Sequence, residues 1–72
     1  MSLCALFLTA SRKVAQKRNG WTDRACAVLD GGMGDYTVED YAGKIVWQGS
    51  AHCRYCARAE AISHMADTEV PA

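Results

Sequence analysis

The chain is predicted to be α+β, with an N-terminal amphipathic helix, a short helix or strand, a β-hairpin and a C-terminal helix. Three observations predict this. Apolar residues recur at three- and four-residue steps near both ends, the period of a helix face. The middle holds two runs rich in β-branched and aromatic side chains around a glycine, the pattern of a hairpin. The chain has 72 residues, room for one domain spanning 1–72.

Residues 2 to 18 make the first helix. Leu3, Leu6, Phe7, Ala10 and Val14 form one stripe, expected to face the core, while Leu8 falls off it and is expected to be exposed in a monomer. Ser2 suits the N-cap, Lys13, Lys17 and Arg18 suit the last turns, and Asn19-Gly20 is a stop signal. Thr22 to Asp30 reads two ways. Thr22 as N-cap, Asp23 in the first turn and Gly31 past the end favour a short helix, while Cys26 and Val28 on one side would suit a strand. Gly31, Gly32 and Gly34 then read as a flexible connection. Tyr36 to Asp40 and Lys44 to Gly49 form the hairpin around Tyr41-Ala42-Gly43, with Tyr36 and Val38 sharing one face, as do Ile45 and Trp47. Ser50 is the predicted N-cap of a helix over 52–66, whose core side carries Tyr55, Cys56, Ala59, Ile62, Ser63 and Ala66. The tail 67–72 is expected to fray.

Half the residues are hydrophobic, but many of these are alanine, so the core is thin and a deep substrate pocket is not expected. Formal charge is zero overall and unevenly placed. Residues 1–24 carry +4 and residues 25–72 carry −4. Such a dipole can steer a charged partner or draw two copies together. No apolar run is long enough to span a bilayer, and no basic segment precedes Leu3 to Ala10 as in a signal peptide. A cytoplasmic location without membrane contact is expected. Cys4, Cys26, Cys53 and Cys56 then read as reduced thiols or metal ligands.

The run His52-Cys53-Arg54-Tyr55-Cys56 is where chemistry is most concentrated. Two thiols three residues apart can reach one metal ion, and zinc needs four ligands in a structural site. With no second Cys-x-x-Cys pair, the further ligands must come from scattered positions; Cys53, Cys56, His52 and Cys26 form the candidate set, with Cys4 and His64 also available. The alternative is that Cys53 and Cys56 pack as small apolar residues of the helix. That alternative is the expectation here: no cofactor, and less than one zinc per purified chain. A redox use of the pair lacks the βαβ setting that thioredoxin-type motifs occupy. Glu39 and Asp40 point to opposite faces of a strand and cannot act as a pair, and Gly31 to Gly34 lack a phosphate loop's lysine.

The expected function is therefore non-enzymatic binding, with another protein as partner. Two surfaces are candidates. One is the basic end of the first helix, Arg12, Lys13, Lys17 and Arg18, which could also meet nucleic acid phosphates, although no nucleic-acid-binding motif accompanies it. The other is the hairpin, with Tyr36, Glu39, Asp40, Tyr41 and Trp47, aromatic side chains of the kind that interfaces enrich, flanked by charges of the kind found at a polar rim. The apolar excess of the first helix also predicts a homodimer. In build, the chain resembles small bacteriophage or mobile-element proteins that inhibit a host complex, anti-CRISPR proteins among them. That resemblance lies in size and style and transfers no residue. A zinc-binding or redox-sensitive protein using Cys53 and Cys56, and a nucleic-acid-binding accessory protein, are the alternatives.

Overall fold

The computed structural model describes residues 3–19 and 24–68. The order is α1 (Leu3–Asn19), β1 (Ala25–Gly32), β2 (Asp35–Asp40), β3 (Ile45–Ser50) and α2 (Arg54–Thr68). The strands form one antiparallel sheet in the order β1-β2-β3. The fold is α+β, as the sequence predicts. Ser2, Gly20, Thr22, Asp23 and residues 69–72, to which capping, stop and tail roles are assigned above, lie outside the described residues.

The segment around 22–30 is a strand, not a short helix. Ala27, Val28 and Leu29 pair with Glu39, Val38 and Thr37, and this non-local pairing overrides the local capping signals. Gly31 and Gly32 belong to that strand rather than to a loose connection. Met33 and Gly34 close a two-residue turn, both at positive φ (52° and 83°), the geometry that tight hairpins require. The second hairpin turns at Gly43, also at positive φ. There Asp40 Oδ1 accepts the backbone N–H groups of Ala42 (2.9 Å) and Lys44 (3.0 Å).

Ser50 is not the cap of α2. It ends β3, and its hydroxyl donates to Asp35 Oδ1 at 2.7 Å. The helix begins at Arg54, with Ala57 N–H donating to the Cys53 carbonyl at 2.9 Å, and it runs through Asp67 and Thr68, which belong to the helix rather than to the tail. Ala57, Ala59, Ala61, Ile62, Met65 and Ala66 are its buried residues. They pack on the row Val28–Val38–Trp47, whose middle member is fully buried. Arg54 and Arg58, one turn apart, donate to the carbonyls of Val28 and Ala25 and fasten α2 to the outer strand. Among the described residues, Ile62 and Val38 alone are large side chains buried completely, so their core is as thin as the composition implies.

α1 packs on α2 and makes next to no contact with the strands. The two helices run in the same direction: Cys4 meets His52, Ser63 meets Ser11, and Arg18 meets Asp67. The face turned inward is not the predicted stripe. Leu8, at 7% exposure, is buried with Ser11 and Ala15, whereas Leu3, Leu6, Phe7 and Val14 are exposed. The expectation for Leu8 is thus reversed. α2 offers mainly alanine and serine to α1, and small residues at Ser11 and Ala15 let the backbones approach more closely than Phe7 and Val14 would.

Candidate metal centre

The parallel helices bring the start of α1 to the start of α2. Cys4 lies in the first turn of α1, His52 and Cys53 lie in the connection after β3, and Cys56 lies in the first turn of α2. The connection is itself held, because Ala51 N–H donates to the Gly34 carbonyl at 3.0 Å, on the far hairpin turn. Cys53 and Cys56, three residues apart across a helix start, point to one side.

The result is a cluster of three thiols and one imidazole. One ligand atom from each of Cys4, His52, Cys53 and Cys56 lies within 4.8 Å of all the others. Cys4 Sγ and His52 Nδ1 are 3.3 Å apart. A tetrahedral zinc with bonds of about 2.3 Å to sulfur and 2.0–2.1 Å to nitrogen has edges of roughly 3.5–3.8 Å. The four atoms therefore already lie near that geometry, and small side-chain rotations could bring them onto one ion. Sulfur and imidazole ligands suit zinc better than calcium or magnesium, which prefer oxygen.

The thiols differ in basicity. Cys53 is lowered to about 6, chiefly because the Cys4 thiol donates to its sulfur; partial burial opposes this, and the Cys56 backbone N–H, His52 and the Cys56 side chain add to it. Cys4 is raised to about 12 because it keeps its proton in hydrogen bonds to Cys53 and then Cys56, with burial and the neighbouring negative charges acting the same way. A cation placed among these sulfurs would favour the thiolate of each.

The sequence candidates divide between places. His52, Cys53 and Cys56 come together, but Cys26 does not join them: its thiol donates to the Asp40 carbonyl at 2.7 Å. Cys4, an available but unranked ligand in the sequence, takes the fourth place. A helical register that carries Cys4, Leu8, Ser11, Ala15 and Arg18 on one face was the signal that could have found it. His64 is exposed further along α2.

The residues proposed for partner binding form no single surface. Lys13 and Lys17 are exposed on α1, Arg18 pairs with Asp67, and Arg12 lines a cleft of about 620 Å³ with Leu8, Arg54, Tyr55 and Arg58. Tyr36 and Trp47 pack partly against the core under the hairpin, while Tyr41 stands exposed at its turn. Asp40 is engaged in that turn, and Glu39 is half-buried on the sheet face away from α2. No helix among the described residues is long and apolar enough to cross a membrane. Compared with protein families, curated proteins and solved structures, the chain matches none.

Proposed function

We propose that this chain is a zinc-held, non-enzymatic binding module, in which Cys4, His52, Cys53 and Cys56 take one structural Zn²⁺. This reverses the sequence expectation of a metal-free protein. The convergence of four ligand atoms within 4.8 Å carries the reading. Four protein ligands would leave no open coordination position for a substrate or an activated water, which favours a structural over a catalytic role. The thin core gives such an ion something to do. Small domains with few large buried side chains commonly rely on a metal or a cross-link, and among the described residues only Ile62 and Val38 are large side chains buried completely.

The held fold would then serve to bind another protein. Protein is favoured over nucleic acid because the cations of α1 are offset by the acidic sheet in a chain of zero formal charge. Elemental analysis of protein purified under reducing conditions tests the metal. One zinc per chain is expected, falling far below one in Cys4→Ser and unchanged in Cys26→Ser. Metal-free protein whose melting temperature ignores both zinc and chelator would refute the reading.

A further inference from the structure

α1 and the sheet are oppositely charged and lie apart within one chain. α1 holds Arg12, Lys13, Lys17 and Arg18 and no acidic residue. The sheet and its turns hold Asp30, Asp35, Glu39 and Asp40 against Lys44. α2 stands between the two, and α1 makes next to no contact with the strands.

Each also keeps an apolar face without cover. On α1, Leu3 (84% exposed), Leu6, Phe7 and Val14 (56%) line the side away from α2. On the sheet, α2 covers only the face carrying Val28, Val38 and Trp47. The row Leu29–Thr37–Gln48 points the other way, because side chains alternate along a strand. Ile45 and Trp47 do not share a face as the sequence predicts, since an irregularity in β3 sets Ile45 opposite Glu39 and so on this second face. Leu29 and Ile45 are about half exposed there (49% and 54%). The Cα atoms span only 16 Å in the thinnest direction, the depth of one sheet and one helix layer.

We propose that a second copy of this chain covers both faces: α1 of each copy lies across the open sheet face of the other. Leu3, Leu6, Phe7 and Val14 then cover Leu29 and Ile45, and Lys13 and Lys17, which flank Val14, approach the partner's acidic sheet. Charge selects this arrangement over its rivals. Helix against helix would bring Lys13 and Lys17 of both copies together, and sheet against sheet would bring Glu39 of both copies together, whereas helix against sheet joins opposite signs. A two-fold axis makes both contacts at once and closes the assembly. The inference goes beyond the zinc reading and does not require it, since the two faces lie outside the metal cluster.

Sedimentation equilibrium on protein of measured zinc content tests it. A doubled mass is expected, dissociating on dilution and more readily in high salt. Leu6→Glu and Ile45→Glu should each give the single-chain mass. Both positions are solvent-exposed in one chain, so both variants should melt like single-chain wild-type protein, which circular dichroism checks. Mixing the two should recover part of the doubled mass, because one of the two helix-to-sheet contacts is then intact. A single-chain mass for wild type at every attainable concentration would overturn the proposal. So would a dimer that Leu6→Glu breaks while Ile45→Glu leaves it whole, which is the signature of helix against helix.

Discussion

Replacing Cys4 by serine removes one zinc ligand and, with it, the tie between the start of α1 and the start of α2. The loss can be sized from the chain. Cys4 and His52 are 48 residues apart, and a cross-link closing a loop of that length lowers unfolded-state entropy by an amount worth about 4 kcal/mol near room temperature. A domain of 72 residues is stable by roughly 4–11 kcal/mol in total. The tie is therefore comparable with everything else holding the fold. At ~4–8 °C per kcal/mol for a domain of this size, its loss corresponds to a fall of about 15–30 °C in melting temperature. The effect should begin at α1, which among its described side chains buries only Leu8, Ser11 and Ala15, so α1 amides should lose hydrogen-exchange protection before those of the sheet. Thermal unfolding by circular dichroism in reducing buffer, with zinc and then with chelator, is the assay. Wild type with chelator should resemble Cys4→Ser with zinc. If Cys4→Ser melts within a few degrees of wild type in both conditions, the cluster is a packing contact and the zinc argument fails.

Other substitutions probe the parts the metal does not reach. Ile62→Ala should cost roughly 2–5 kcal/mol, the usual loss for a buried isoleucine, and chemical denaturation of the zinc-loaded protein would read it; a loss under 1 kcal/mol would mean that α2 is not seated on the sheet as described. Gly49→Ala places a Cβ 3.0 Å from the Trp47 ring, so the ring must shift, at a cost of about 1–3 kcal/mol, and tryptophan emission should change with it. Arg18→Ala should cost no more than ~1 kcal/mol, because Arg18 and Asp67 are both more than half exposed and water screens the pair; a melting curve that falls much further would show that the last turns of α1 depend on that contact.

The parts of this fold that could be read from the sequence are those set by neighbours along the chain. Tyr36, Val38, Ile45, Val46 and Trp47 around Gly43 identify β2 and β3, because β-branched and aromatic density with a turn glycine is a local signal. The existence of α1 and α2 follows from period alone. β1 could not be read in this way: Gly31 and Gly32 look like a helix stop, and what makes 25–32 a strand is the carbonyl and N–H ladder of β2.

The buried face of α1 is not legible in the sequence for a related reason. Its sequence contains two stripes, one of large apolar residues through Leu3, Phe7 and Val14, and one of smaller residues through Cys4, Leu8, Ser11 and Ala15. Hydrophobicity alone ranks the first stripe inside. The choice depends on what the opposing helix offers, and α2 offers alanines and Ser63, which a small-residue face fits. The metal cluster follows from that choice. If the large stripe faced α2, Cys4 would turn away from Cys53 and Cys56; with the small stripe inward and the helices parallel, the first turn of α1 delivers its thiol to the first turn of α2. The same rotation that assembles the zinc ligands leaves Leu3, Leu6, Phe7 and Val14 in solvent. A sequence change that favoured burial of the large stripe, such as Ser11→Lys, should therefore weaken zinc binding and the exposed apolar face together.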